Sequence, residues 1–322
     1  MTSRLRIDHQ QAVRYRLAVN RLGERLPAGA YVEAARFGLQ DTAPRDALVG
    51  LHARVAECEP SAWEAPGLVQ TYSPRAAVYV LPAADFGVFT VGRMPLDPVE
   101  QQAVEELAER ICQEFAGAEQ RQGHPELRGA CATGRLLLRW TTSALYAREV
   151  EPPEIDFREA HLELCRRHVR AFGPTTAETF GWWSGLSRPD ARVVWSWLGD
   201  ELLPIEVEGR AAAILAADED AVRAAPAVTG ARFLVASDLR LFGADRYGLF
   251  AGPGQKSRIE LNDWHHPHGL MLDGQLRGAW GRRQGAINLR LAGRVTGAER
   301  AAIEAEALSM PIPGATMSLR LS

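Results

Sequence analysis

The stretch 156–215, DFREAHLELCRRHVRAFGPTTAETFGWWSGLSRPDARVVWSWLGDELLPIEVEGRAAAIL, decides the fold. Asp156 offers a carboxylate to the free N–H groups of a first helical turn, and Glu159, three residues on, completes a capping box. Leu162, Cys165, Val169 and Phe172 then recur on one helical face, and Gly173-Pro174 stops the helix. Thr175-Thr176-Ala177-Glu178 opens a short second helix through Phe180, Trp182 and Trp183, ended by Gly185. Ser187-Arg188-Pro189-Asp190 caps a third through Val193, Val194 and Trp197. Leu203 to Val207, a turn at Glu208-Gly209, and an apolar run from Ala211 to Leu215 read as a hairpin. Helix, helix, helix, hairpin is the order of a winged helix; a three-helix bundle with a trailing hairpin is the alternative.

Working outward, the same opening recurs twice upstream. Asp8 with Gln11 starts a helix closed by Gly23, and Asp97 with Glu100 starts one closed by Gly117. Each glycine is able to adopt the left-handed C-cap conformation. The first unit continues with Val13 and Leu17 buried and a short helix around Val32 to Phe37. A third helix opened by Pro44 carries Leu48, Leu51 and Val55. Leu68 to Tyr72 and Ala77 to Leu81 make its wing. The second unit buries Val104, Leu107, Ile111 and Phe115, then runs into a strand from Thr133 to Trp140. Tandem modules of this kind lay a surface along DNA.

After about Asp218 the pattern changes. Gly269 to Leu272, Asp273-Gly274 and Gln275 to Arg282 give a strong hairpin signal. Ala286 to Leu291 follows as a strand, Thr296 caps a helix through Ile303 and Leu308, and Met317 to Leu321 returns as a strand. The expected fold is therefore α+β: tandem winged-helix modules with a C-terminal β-rich, barrel-like domain. The expected boundaries are 1–94, 95–152, 153–217 and 218–322.

Composition narrows the class. The chain has 322 residues, 46% hydrophobic and 24% charged, as in an ordinary globular protein. No apolar run is long enough to span a bilayer, and the N-terminus lacks the apolar core of a signal peptide, so a cytoplasmic, nucleoid-associated location is the default. Cys58, Cys112, Cys131 and Cys165 form no C-x-x-C pair and read as buried thiols in a reducing compartment. Net charge is −3, yet from Arg232 to Arg300 eleven Lys or Arg stand against six Asp or Glu. A basic region on an acidic chain suits phosphate contacts. The single lysine, Lys256, sits in a Gly/Pro-rich loop where nothing depresses its pKa, so Schiff-base chemistry is a poor fit. Trp264-His265-His266-Pro267-His268 invites a metal reading through His265, His266 and His268. No cysteine or helix fixes a ligand geometry, so a surface loop, or a loop touching DNA, is the better reading and no metal or other cofactor is expected.

Segments 38–48 (GLQDTAPRDAL), 74–85 (PRAAVYVLPAAD), 171–176 with Phe180, Trp182, Trp183, Ser184 and Gly185, then Asp245-Arg246, Asp273-Gly274 and Gly278-Ala279-Trp280, occur in this order along the chain. Together they resemble the AlkZ-like (YcaQ-like) winged-helix DNA glycosylases. The resemblance implies three winged helices and a β-rich domain curved around a DNA-sized channel. It also implies monofunctional hydrolysis of the bond between an alkylated purine and its deoxyribose, favouring N7-guanine adducts. Some relatives remove bulky adducts of DNA-alkylating natural products and so protect the producing organism. The implied partner is double-stranded DNA containing alkylated bases, with a monomer as the default state.

In the family a Gln-x-Gln or related motif precedes the proline and arginine. Aligned through Pro44-Arg45, Gln40 takes the first Gln position, Asp41 the intervening apolar one and Thr42 the second. The resemblance makes these three the catalytic candidates. Gln40 would orient a water toward C1′, and Asp41 would accept its proton or stabilise the oxocarbenium-like transition state. Thr42 would donate or accept a hydrogen bond. N7-alkylated guanine already carries positive charge and leaves readily, so holding the sugar and placing a water suffice. The competing reading of Gln40-Asp41-Thr42 is a loop that caps the helix beginning at Pro44. DNA-contact candidates are Arg45, Arg75, Arg246, Arg277, Arg282 and Arg283, the pair Arg282-Arg283 sitting at a hairpin tip. Trp182, Trp183, Trp195 and Trp197 fall at helical spacing and read as core. A non-catalytic DNA-binding protein, such as a regulator or damage binder, is the alternative function. A metal-dependent hydrolase is a third.

Overall fold

Three helices begin on the aspartates marked in the sequence. The computed structural model describes residues 5–43, 45–115, 117–123, 125–141, 143–242 and 268–322. In chain order the first half runs β1 (Leu5–Ile7), α1 (His9–Val19), α2 (Tyr31–Ala34), β2 (Leu39–Gln40), α3 (Asp46–Arg54), β3 (Leu68–Ser73), β4 (Ala77–Pro82), α4 (Phe86–Thr90), α5 (Pro98–Phe115), β5 (Gln120–Gln122), α6 (Leu127–Ala130), β6 (Leu136–Trp140) and β7 (Leu145–Glu149). The second half runs α7 (Phe157–Phe172), α8 (Ala177–Ser184), α9 (Arg188–Trp197), β8 (Leu202–Val207), β9 (Arg210–Leu215), α10 (Glu219–Arg223), β10 (Ala231–Leu234), β11 (His268–Leu272), β12 (Gln275–Arg283), β13 (Ala286–Leu291), α11 (Gly297–Leu308) and β14 (Ser318–Leu321).

Asp8 accepts the Gln11 N–H at 2.7 Å, Asp97 the Glu100 N–H at 3.0 Å and Asp156 the Glu159 N–H at 2.9 Å. Such a bond satisfies one of the four orphan donors of a helix start. Asp156→Ala is accordingly expected to destabilise the protein by about 1 kcal/mol, measured as a lowered midpoint in urea or thermal unfolding. The reciprocal half of a capping box is present at Thr296 and Glu299. The second-helix cap falls on Thr176, one residue later than the sequence suggests, because Thr175 is paired with Ala213 through two backbone bonds of 2.9 Å.

The helix ends depart further from expectation. Gly117 is left-handed, at φ 76, but Gly173 is at φ −62. Glycine is needed at 173 for space: a Cβ there would stand 2.3 Å from the Val169 carbonyl oxygen. Gly23 caps nothing, because α1 ends at Asn20. The Asn20 amide donates to Arg16 O at 2.9 Å and to Ala171 O at 2.8 Å, tying α1 to α7.

The third unit has the expected order of α7, α8, α9 and the β8–β9 hairpin. The hairpins do not stand alone, however. β3 and β6 meet at Gln70 and Leu138, so the first two units share one six-stranded sheet, β2-β4-β3-β6-β7-β5. β1 runs parallel to β8, extending the third hairpin with the chain's first described strand. Burial follows the same joins: Tyr79 and Leu81 of β4 pack with Phe89, Leu164, Phe180, Trp183 and Val194. A lone hairpin is marginal in water, and pairing with a neighbour both saturates its edge and buries its face.

At the C-terminal end Asp273 (φ 49) and Gly274 (φ 73) make the turn joining β11 and β12, the positive angles that a two-residue hairpin loop requires. The strands order β10-β11-β12-β13-β14. This corrects the barrel-like expectation: among the described residues β14 adds in parallel beside β13 and does not close onto β10. The excursion through α11 returns the chain to the outer edge, and Ile303 and Ala307 of that helix cover the sheet with Phe233, Leu270, Ile287 and Leu289. Val49 of α3 enters the same core, locking the first unit to the last. The four thiols are free, and no helix among the described residues is long and apolar enough to cross a membrane.

Candidate active site

Gln40 closes β2, where it pairs with Tyr79 of β4, and the Asp41 N–H still bonds Val78 O at 2.8 Å. The chain then turns into α3. The Gln40 side chain is held from both ends. Its Oε1 accepts the Arg240 guanidinium at 3.0 Å, and its Nε2 donates to Thr42 Oγ1. This arrangement leaves one amide N–H and one carbonyl lone pair for another partner.

Arg240 lies on a 3-10 turn, Asp238–Phe242, that is pinned by two buried arginines. Arg54 of α3 forks onto Asp238 at 3.1 and 2.7 Å. Arg16 of α1 donates to Gly173 O (3.1 Å), Pro174 O (2.9 Å) and Leu241 O (3.3 Å), so its charge is fully engaged by carbonyl dipoles. The Arg240 guanidinium also stands 5.3 Å from the Trp182 ring centroid, and Arg75 lies over the same ring at 4.1 Å. Trp182 is thus half-exposed and carries two cations, as is Trp197 with Arg158 at 4.4 Å. Of the four tryptophans read as core, Trp183 is fully buried, at 2% exposed, while Trp182, Trp195 and Trp197 are partly buried and pack against the same cluster. A small recess at this junction is lined by Gln40, Asp46, Tyr79, Trp183, Asp238 and Arg240.

Three acids, Asp41, Asp46 and Asp238, lie near Gln40 in sequence or space; all three are buried, and the partners of each carboxylate separate them. Asp41 is 1% exposed; it accepts the Ala47 N–H at 3.0 Å and caps α3. Burial pushes its carboxyl up to about 6, opposed by the α3 N–H groups and the Arg45 charge. Its carboxylate lies under the first turn of α3, and Asp41 is not among the residues that line the recess. Thr42 is exposed and its hydroxyl receives the Gln40 amide.

Asp46, not singled out in the sequence, lines the recess together with Asp238, whose carboxylate is taken up by Arg54. One of its oxygens accepts the Ala43 N–H at 3.2 Å, while the other lies 3.7 Å from His268 Nε2. Burial pushes its carboxyl up to about 7. The Ala43 bond and Arg282 pull the other way, and the like charges of Asp41 and Asp238 add to the rise. A folded-state value above the ordinary 3.8 means the native protein binds the proton more tightly than the unfolded chain. Stability from this group is therefore lost as pH rises from about 4 to about 7. Asp46→Asn is expected to raise the thermal midpoint more at pH 8 than at pH 5, by differential scanning calorimetry at both.

The proposed DNA-contact arginines fare unequally. Arg45, itself left-handed at φ 77, lies over the Trp63 ring at 3.8 Å. Arg277 donates to Arg294 O at 2.9 Å and pairs with Glu299 at 3.7 Å, holding the start of α11. Arg282 is half-buried beside Asp46 and donates to Gln284 O at 2.9 Å. Arg283 is exposed at the β12–β13 tip, and Arg75 sits in the β3–β4 turn at φ 61. Arg246, Lys256, His265 and His266 lie outside the described residues. His268 stacks on Trp280, and among the described residues no group of three or more His, Cys, Asp or Glu could hold a metal. Asp238, Arg240 and His268 escaped sequence reasoning because they come to Gln40 or Asp46 from far along the chain, as the Arg240–Gln40 bond illustrates with a separation of 200.

A model of the AlkZ-like DNA glycosylase family matches residues 120–310, more than half of the chain. The chain belongs to the AlkZ-like family. The interstrand DNA cross-link repair glycosylase of Streptomyces sahachiroi is 36% identical over 116 residues, 35% of this chain. That match spans 28% of the relative's own length. The solved structure of the Streptomyces sahachiroi DNA glycosylase AlkZ superposes with a TM-score of 0.72 at 19% identity, covering 99% of this chain and 100% of the other. The AlkZ-like fold therefore extends over the whole chain, including the residues before 120 that carry Gln40.

Proposed function

We propose that this protein is a monofunctional DNA glycosylase that hydrolyses the N-glycosidic bond of alkylated purines in duplex DNA. The observation that carries the reading is the Gln40 amide, held between Arg240 and Thr42 in a recess where the first unit, the third unit and the C-terminal region meet. An amide oriented from both ends has its remaining N–H and lone pair aimed before substrate arrives, which is what placing a hydrolytic water requires. N7-guanine adducts are the proposed substrates, because the charged base then needs little help to leave. The relative's description as a cross-link repair glycosylase supports including bulky or cross-linked adducts, and with them a role in repair or self-resistance.

Residues 1–94, 95–152 and 153–217 act as winged-helix modules in this reading, with 218–322 as a β-rich cap, the whole working as a monomer on DNA in the nucleoid. Arg75 and Arg283 are the phosphate contacts the geometry favours, with Arg282 beside the site. Arg45 and Arg277 act on the protein itself. A non-catalytic damage binder is the second reading, favoured by Thr42 at the second motif position and by the inward cap made by Asp41. The two separate in one experiment. The protein is incubated with duplex DNA carrying N7-methylguanine and with mustard-cross-linked duplex, and alkali-labile abasic sites are scored beside binding by fluorescence anisotropy. Abasic sites are expected; tight binding to both with no base release from either supports the binder instead.

A further inference from the structure

We propose that Asp46 is the catalytic carboxylate of this site, receiving the proton of the water that Gln40 orients, and that His268 positions it. The proposal rests on the glycosylase reading and adds to it a base that the Gln40-Asp41-Thr42 segment does not provide.

Division of labour around α3 supports the assignment. Asp41 already caps the helix through Ala47, so Asp46 is not needed for that purpose. Asp46 spends one oxygen on the Ala43 N–H and has the other directed to His268. The imidazole is fixed by two contacts, and the second is itself anchored. Its Nδ1 accepts the Ala236 N–H at 3.2 Å, which puts the proton of the neutral ring on Nε2, the atom 3.7 Å from Asp46. Its face stacks on Trp280 at 4.5 Å between centroids. Trp280 in turn donates its indole N–H to Leu234 O (3.1 Å) and Gly269 O (3.0 Å), so the stacking partner cannot swing. Asp46 and Gln40 line the same recess, while Asp41 does not.

The step balances simply. The water oxygen bonds to C1′, the C1′–N9 bond breaks, and its electron pair moves onto the purine, discharging the cationic ring of an N7-alkylated guanine. The water proton passes to Asp46. Only the ionised carboxylate can accept it. The groups facing Asp46 are Asp41 from the β2–α3 turn, Asp238 from the 3-10 turn, Arg282 from β12 and His268 from β11, with Asp238 itself neutralised by Arg54. Their balance leaves the carboxyl at about 7, where a general base is most effective.

The test is single-turnover base release from an N7-methylguanine duplex and a mustard-cross-linked duplex between pH 5.5 and 8.5, with duplex binding measured in parallel. Wild type is expected to lose rate about tenfold per unit below pH 7 and to level off above it. Asp46→Asn should lose about 10²–10⁴-fold and the pH dependence while still binding DNA. His268→Phe should lower the rate and displace the acid limb, and His268→Gln, which restores an N–H donor, should recover part of both. An Asp46→Asn protein that keeps the wild-type rate and limb while Gln40→Ala is inert overturns this assignment alone. A wild type that binds both duplexes and releases no base overturns the glycosylase reading and this assignment with it. A cooperative melt of each variant, with a midpoint at or above that of wild type for Asp46→Asn, separates these losses from misfolding.

Discussion

Gln40→Ala is expected to lower the single-turnover rate of N7-methylguanine release by about 10²–10³-fold, the usual loss for a preorganised hydrogen-bonding group. Duplex affinity should change little. Gln40 is half-buried, and its amide already engages Arg240 and Thr42, so it supplies geometry to a water rather than contact area to DNA. Truncation to alanine also removes one of the bonds that hold the Arg240 guanidinium, which keeps its contacts with Tyr79 and the Trp182 ring. The control is Gln40→Glu, which keeps the length and pairs with Arg240 but replaces the amide N–H by an acceptor. Partial activity in Gln40→Glu, with none in Gln40→Ala, would say that water orientation matters more than donation. Full activity in Gln40→Ala would remove Gln40 from the mechanism.

Arg54→Met should destabilise the fold by about 3–5 kcal/mol, the cost of stranding one member of a buried ion pair. Arg54 is 3% exposed and Asp238 7%, and the guanidinium forks onto both carboxylate oxygens. Without it, a carboxylate remains buried beside Asp46, which already resists ionisation. Arg54→Met combined with Asp238→Leu should recover most of the loss, because two apolar groups of similar volume replace the pair without leaving a charge unpaired. Urea denaturation at pH 7 reads both numbers. Base release need not follow stability: the double variant is expected to stay impaired, since Asp238 opens the turn that presents Arg240 to Gln40. A double variant as active as wild type would mean that the turn is held well enough by Arg16 alone.

Local chemistry made much of this protein readable from its sequence. Asp8, Asp97 and Asp156 start helices because an aspartate at that position satisfies an orphan N–H whatever the rest of the chain does. Asp273-Gly274 makes its turn because few dipeptides adopt two successive positive φ angles. The β11–β14 strands and α11 fell within a residue or two of their expected limits for the same reason, and Gln40 could be picked out by the family pattern around it. Asp41 could not be assigned a direction. A carboxylate between a strand and a helix faces either solvent or the helix start, and burial under α3 made that choice.

Sheet joins and site assembly lay beyond the sequence. Nothing local says that β3 pairs with β6, that β1 lies parallel to β8, or that β14 extends an open sheet instead of closing a barrel. Backbone edges carry no residue-specific address, and the partner is set by which apolar faces must be covered. The same holds for the recess. The sequence by itself determined its elements and one of its residues, because capping, turn geometry and periodicity act within a few positions. Tertiary structure alone decided that Asp46, Asp238 and Arg240 share a recess with Gln40 and that His268 stands beside Asp46, because their juxtaposition follows from burying α3 between the C-terminal sheet and the rest of the first unit, a condition satisfied only once the whole chain has packed.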